Sequence, residues 1–156
     1  MSTIEPEGEV AGTHLLADFW GVRTIGSVVE LDALVRASVQ SAGATLLDLA
    51  FHQFPAATRD RAAIGPAAAT TAASGGITGY ALLAESHISV HTWPERGYVA
   101  IDVFMCGEQR PETALEVMRR AFSPEREQVH TVRRGAEMPA ADACPADVPL
   151  RAVCSR

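Results

Sequence analysis

Apolar residues recur along the first third of the chain with two different periods, which predict strands and one helix. His14–Trp20 is typical of a first strand, and Ser27-Val28-Val29-Glu30 has the spacing of a capping box at a helix start. Gly43 then supplies a stop for that helix, and residues 45–54 predict a second strand. The predicted helix has one buried stripe, made of Leu31, Leu34, Val35, Ser38, Val39 and Ala42.

The second half of the chain predicts further strands and another amphipathic helix. Three apolar runs are typical of sheet strands: Ile77–Ala84, Ile88–His91 and Tyr98–Phe104. A helix is predicted after Pro111, and residues 128–133 predict a last strand. The inward-facing residues of that helix are Leu115, Met118 and Phe122.

This order of elements predicts an α+β fold, a two-layer sandwich with one mostly antiparallel sheet and helices on one face. A chain of 156 residues is long enough to bury one core, so we expect a single domain spanning residues 1–156. Two helices leave the other face of the sheet partly uncovered. A homodimer would bury it.

Two segments lack a convincing period. Residues 55–76 are rich in Ala, Thr, Gly and Pro and predict a long loop, with a short helix around Ala67–Ala73. The tail from Gly135 is rich in Pro and Ala, and we expect it to be loosely held.

Charge and cysteine content exclude several classes of protein. The formal net charge of -6 argues against a nucleic-acid-binding protein, which needs clustered Lys and Arg. No stretch approaches the roughly 18 consecutive apolar residues of a membrane span, and the acidic first residues are unlike a signal peptide, so we expect a cytoplasmic protein. The three cysteines, Cys106, Cys144 and Cys154, are odd in number and widely spaced, so they do not suggest a disulfide framework.

Reactive side chains are densest in Glu85–Glu95, followed by Cys106. One interpretation is a zinc site of His87, His91 and Cys106, but the two histidines would lie roughly 13 Å apart on a strand. Hydrolysis by a Ser86 or Cys106 nucleophile is another, although Ser86 lacks the flanking glycines of a nucleophile elbow. A third is structural, since His and Trp in a half-buried strand are usually satisfied core residues.

Two runs closely resemble the short prokaryotic S-adenosylmethionine decarboxylases: LAESHISVHTWPE at Leu83–Glu95 and GYVAIDVFMCG at Gly97–Gly107. The resemblance extends upstream to Gly12–Phe19, Ser41–Thr45 and Phe51–Phe54. It covers a core of about residues 12–134, apart from the loop after Phe54.

The resemblance implies a proenzyme that cleaves itself. The Ser86 hydroxyl would attack the carbonyl of Glu85, and β-elimination would then free residues 1–85 and leave a pyruvoyl group at position 86. That group forms a Schiff base with the substrate amine and acts as an electron sink. Thr78 would support processing through its hydroxyl, His91 would remove the Ser86 α-proton, and Cys106 would protonate the substrate α-carbon.

For the substrate, the resemblance implies S-adenosylmethionine, whose decarboxylated product is the aminopropyl donor for spermidine synthesis. Phe54 and Trp93 match aromatic positions near adenine, and Glu95 matches the carboxylate that binds the ribose hydroxyls. An acidic, aromatic pocket also suits a sulfonium cation. We expect no metal, and we assign no catalytic role to His14, His52 or His87. The homodimer expected from the uncovered sheet face would then consist of processed two-chain protomers.

The chain departs from this family in the inserted loop 55–76 and in the tail with Cys144 and Cys154. The loop is either a harmless surface excursion, which loop-closure entropy tolerates, or a cover that alters substrate choice. Two other functions stay open: a pyruvoyl-dependent ornithine or arginine decarboxylase, and a non-catalytic homologue. Trp93 and Glu95 favour S-adenosylmethionine over the former. Four intact residues argue against the non-catalytic homologue: Glu85, Ser86, His91 and Cys106.

Overall fold

The computed structural model describes residues 11–23, 25–55 and 75–135. The helix predicted at Ala67–Ala73, most of the inserted loop, Cys144, Cys154 and the tail beyond Gly135 lie outside the described residues.

The elements predicted for the described ranges are confirmed. Four strands are longer than predicted. The largest extension is at Ile88–His91, where the flanking polar residues continue the alternation from Ser86 to Trp93. No helix in the described ranges is long and apolar enough to cross a membrane. In chain order the elements are β1 Gly12–Trp20, α1 Val28–Ala42, β2 Leu46–Gln53, β3 Ile77–Leu83, β4 Ser86–Trp93, β5 Tyr98–Cys106, α2 Pro111–Phe122 and β6 Arg126–Arg134.

The strands form one six-stranded sheet in the order β2-β3-β4-β5-β1-β6. Every neighbouring pair is antiparallel. Both helices bury their apolar stripes against the same face of this sheet and against each other. The predicted α+β class and two-layer arrangement are therefore confirmed. The buried sheet residues include Leu15, Ala17, Phe19, Ile88, Val90, Val99, Ile101, Val103 and Met105.

Helix α1 has the ends that the sequence predicts. The Ser27 hydroxyl accepts a hydrogen bond from the Glu30 amide at 3.2 Å, and the Glu30 carboxylate reaches back to the Gly26 amide at 3.1 Å. Gly43 ends the helix in the left-handed conformation, with φ 73°. This sharp stop directs Thr45 toward the turn between β3 and β4, where Ala84 donates to the Thr45 carbonyl at 3.0 Å.

The sheet face opposite the helices is called the open face below, because no described helix covers it. Its side chains alternate with the core residues, since successive residues of a strand point to opposite faces. Four large apolar side chains of this face are more than a third exposed, namely Tyr80, Leu82, Trp93 and Val132. An exposed apolar area of this kind is typical of a surface that packs against a partner.

Candidate active site

Ser86 and Cys106 meet at the end of the β4–β5 pair. Ser86 lies opposite Met105 in the register, and its Oγ is 3.7 Å from the Sγ of Cys106, a free and half-buried thiol. The Cys106 amide donates a hydrogen bond to the carbonyl oxygen of Glu85 at 3.1 Å. The peptide bond between Glu85 and Ser86 therefore has a carbonyl polarised by a hydrogen bond, and the Ser86 hydroxyl and the Cys106 thiol lie beside it.

The backbone at Ser86 is unusual for a residue with a side chain. Its φ of 155° lies on the positive side, which non-glycine residues rarely adopt. Such conformations cost about 1–3 kcal/mol and persist only where the surrounding structure imposes them. The turn between β3 and β4 is bound to Thr45 as well as to Cys106, because the Glu85 carboxylate accepts a hydrogen bond from the Thr45 amide at 2.9 Å. That hydrogen bond lowers the pKa of Glu85.

Thr78 and His91 form a second pair, opposite each other on β3 and β4. Thr78 Oγ1 lies 2.6 Å from His91 Nδ1. If Nδ1 carries the proton and donates it to the hydroxyl oxygen, the other ring nitrogen is left free to act as a base. The pair therefore fixes the orientation of the His91 ring.

The two pairs do not meet within one chain. Ser86 and His91 are five residues apart on one continuous strand, which corresponds to about 17 Å at the usual strand rise. A general base must come within about 3 Å of the proton it removes. In one copy of the chain, His91 therefore does not reach Ser86.

The predicted substrate-binding residues lie at the His91 end of the sheet. Trp93 is 37% exposed and belongs to a row of aromatic rings. Its ring centroid lies 5.1 Å from that of Tyr98, which lies 5.7 Å from that of Trp20. Phe54, 49% exposed, packs edge-on against His52. Glu95 is exposed in a single 3₁₀ turn, Pro94–Arg96. Exposed rings and a carboxylate thus lie at the end far from Ser86.

A polar cluster at the centre of the open face was not predicted from the sequence. Asp102 accepts a hydrogen bond from the Ser89 hydroxyl at 2.8 Å and lies 3.6 Å from His14. Tyr98 donates to Asp18, and burial followed by this hydrogen bond raises the pKa of Tyr98 to about 12. The signal was present in the alternation, because both aspartates stand between buried apolar neighbours and must point away from the core.

His87 and His14 stand beside Phe104 on the same face, with ring centroids 5.5–6.0 Å apart. Burial, followed by the nearby His14, lowers the pKa of His87. Within residues 11–23, 25–55 and 75–135, no three His, Cys, Asp or Glu side chains are arranged to hold a metal ion. This geometry gives the zinc interpretation no support.

Comparison with known proteins identifies the family. A family model described as S-adenosylmethionine decarboxylase matches residues 13–135. The S-adenosylmethionine decarboxylase proenzyme of Thermomicrobium roseum is 39% identical over 125 residues, covering 80% of this chain and 93% of the relative. The proenzyme of the same name from Parasynechococcus marenigrum is 42% identical over 112 residues, covering 71% of this chain and 72% of the relative.

A solved structure agrees with these matches. The crystal structure of the adenosylmethionine decarboxylase from Aquifex aeolicus superposes with a TM-score of 0.65 at 30% identity, covering 81% of this chain and 92% of the other. The matched residues include both side-chain pairs and the strands that carry them. The chain therefore belongs to the S-adenosylmethionine decarboxylase family.

Proposed function

We propose that the chain is a self-cleaving, pyruvoyl-dependent decarboxylase that converts S-adenosylmethionine to its decarboxylated form and carbon dioxide. The observation that carries this proposal is the Glu85–Ser86 peptide bond, with the Ser86 hydroxyl 3.7 Å from the Cys106 thiol. The names of the relatives support the substrate.

Self-cleavage starts when Ser86 Oγ bonds to the Glu85 carbonyl carbon. The C–N bond to Ser86 then breaks, and the hydroxyl proton moves to the released nitrogen, which leaves an ester. Removal of the Ser86 α-proton breaks the Cβ–Oγ bond and gives a Glu85 carboxylate and a dehydroalanine. Its enamine tautomerises to an imine, and addition of water with loss of ammonia leaves the pyruvoyl group.

The Cys106 amide supports the first step. Its hydrogen bond to the Glu85 carbonyl is already formed at 3.1 Å. As the carbonyl oxygen gains negative charge during attack, this hydrogen bond strengthens, and a fixed donor of this kind stabilises an oxyanion without reorganisation. The amide thus stabilises the tetrahedral state more strongly than it stabilises the intact peptide bond.

The second step requires a base, which a second copy of the chain supplies. Two packed sheets lie about 10 Å apart, so side chains from facing open faces interdigitate. If the two β4 strands run in opposite directions across a two-fold axis, the partner's Thr78 and His91 lie over Ser86 and Cys106. The exposed apolar side chains Tyr80, Leu82 and Val132 would be buried in the same contact.

The chain's own residues also fit the decarboxylation step. The pyruvoyl group supplies the electron sink for loss of the carboxylate. The Cys106 thiol adjoins the position where that group forms, so it can deliver a proton to the substrate α-carbon. The partner's Trp93 and Phe54 would stack on adenine, while the partner's Glu95 would accept hydrogen bonds from the ribose hydroxyls.

Intact mass of the denatured protein tests self-cleavage. We expect residues 1–85 together with a fragment from position 86 that is lighter, by the mass of ammonia, than the same fragment with an amino-terminal serine. Ser86→Ala should remain one chain. A wild-type protein that stays full-length after prolonged incubation would refute the proposal.

Carbon dioxide release from S-adenosylmethionine, ornithine and arginine tests the substrate. We expect preference for S-adenosylmethionine, with the inserted segment 55–76 leaving that preference unchanged. Preference for either amino acid would keep the self-cleavage chemistry and replace the substrate.

A further inference from the structure

We propose that Glu85 is a positioning residue for self-cleavage. Its carboxylate accepts a hydrogen bond from the Thr45 amide and thereby holds the Glu85–Ser86 peptide bond in place for the attack. This inference rests on the proposed self-cleavage and adds a role for the side chain of the residue at the cut. The role is independent of any second copy of the chain, because every contact involved lies within one copy.

The turn between β3 and β4 is fastened to Thr45 by a reciprocal pair of hydrogen bonds. The Ala84 amide donates to the Thr45 carbonyl at 3.0 Å, and the Thr45 amide donates to the Glu85 carboxylate at 2.9 Å. Thr45 itself follows the left-handed Gly43 that ends α1. The end of α1, whose apolar stripe packs against the sheet, thus fixes one side of the turn.

The other side of the turn is fastened to β5, because the Cys106 amide donates to the Glu85 carbonyl. Glu85 therefore bridges the start of β2, through its side chain, and the end of β5, through its carbonyl oxygen. These two attachments restrict rotation of the peptide plane between Glu85 and Ser86. The carbonyl face that Ser86 Oγ must approach is consequently held in one orientation.

Ser86 needs this restraint because of its backbone conformation. With φ at 155°, the residue lies outside the regions that L residues favour, so a freed turn would relax and swing the carbonyl away from the hydroxyl. The contact requires only an acceptor oxygen at the Thr45 amide. A glutamine at position 85 supplies such an oxygen and an alanine does not.

Three variants test the role: Glu85→Ala, Glu85→Gln and the control Glu108→Ala. Glu108 is an exposed carboxylate in the turn after β5, so its removal changes local charge alone. We expect Glu85→Ala to self-cleave about tenfold to a hundredfold more slowly, as misplaced reacting groups do. Glu85→Gln and Glu108→Ala should cleave within about threefold of the wild-type rate, because each keeps the hydrogen bond.

Hydroxylamine identifies the step that is slowed, since it cuts an ester and leaves a peptide bond intact. Slow acyl transfer in Glu85→Ala should leave no ester for hydroxylamine to cut, whereas slow elimination would let ester accumulate. In the uncut Ser86→Ala background, adding Glu85→Ala should speed hydrogen exchange of the Thr45 amide. Exchange of amides in the central strands should stay unchanged, because a general loss of stability would speed their exchange as well.

The outcomes separate this inference from self-cleavage itself. A wild-type chain that never cleaves removes the proposed function. Wild-type cleavage with an equally fast Glu85→Ala overturns only the positioning role, as does ester accumulation in Glu85→Ala. A Glu85→Gln variant as slow as Glu85→Ala also overturns it, because charge rather than the hydrogen bond would then matter.

Discussion

Two inactive variants should restore each other if the active site is shared between two copies of the chain. His91→Ala keeps Ser86 and Cys106 but lacks the base. Ser86→Ala keeps His91 but has no hydroxyl to attack Glu85. Each variant therefore lacks one of the two required groups. Because Ser86 and His91 lie about 17 Å apart along β4, a complete site has to combine Ser86 of one chain with His91 of the other.

The expected yield follows from two-fold symmetry. When both variants are co-expressed in equal amounts and pair at random, about half of the His91→Ala chains lie in mixed dimers, each with one complete site. About half of all His91→Ala chains should therefore acquire the pyruvoyl group, namely those in mixed dimers. Each variant alone should give none.

The assay is intact mass on co-expressed chains with different tags, with the yield of one half measured before purification. Double-tag purification then isolates the mixed dimers, in which nearly all His91→Ala chains should carry the pyruvoyl group. The pyruvoyl fragment is identified by its mass, which separates it from a serine-started fragment produced by ester hydrolysis. A control pairs His91→Ala with the double variant Ser86→Ala/His91→Ala, and it should yield no pyruvoyl fragment. Mixed dimers of the two single variants without pyruvoyl fragment would refute the shared site.

Four further predictions concern single positions. Cys106→Ala should still self-cleave but lose about 10²- to 10⁴-fold in turnover, measured as carbon dioxide release, because a positioned proton donor contributes that much. Glu95→Gln should lower kcat/KM for S-adenosylmethionine by about tenfold to a hundredfold and leave any activity on ornithine unchanged, since ornithine has no ribose. In Tyr80→Phe, which leaves Tyr98 as the one tyrosine, phenolate absorbance should report a Tyr98 pKa of about 12 against an ordinary 10.0. The neutral Tyr98 phenol stabilises the fold below pH 10, and this contribution is lost as pH rises toward 12, because the unfolded chain releases the proton at lower pH. Phe122→Ala in the uncut Ser86→Ala background should lower the free energy of unfolding by about 3–5 kcal/mol in urea, because Phe122 is 0% exposed.

The sequence alone determined the elements and the side of each that is buried. Side-chain direction has a fixed period in strands and helices, so the alternation around Ile101 and the stripe of Leu31 and Val35 identify core residues locally. The caps at Ser27 and Gly43 are also local, because a cap depends on residues within one turn. Family resemblance pointed to Ser86, His91 and Cys106, although it did not place them in space.

Only the tertiary structure decided which of these residues meet. Strand register depends on turns and on pairing between distant segments, and the register here joins Ser86 to Cys106 and Thr78 to His91 while keeping the two pairs apart. The Thr45 contact with Glu85 likewise spans forty residues of sequence. No local pattern predicts such contacts, because they arise from how the end of α1 packs beside the β3–β4 turn.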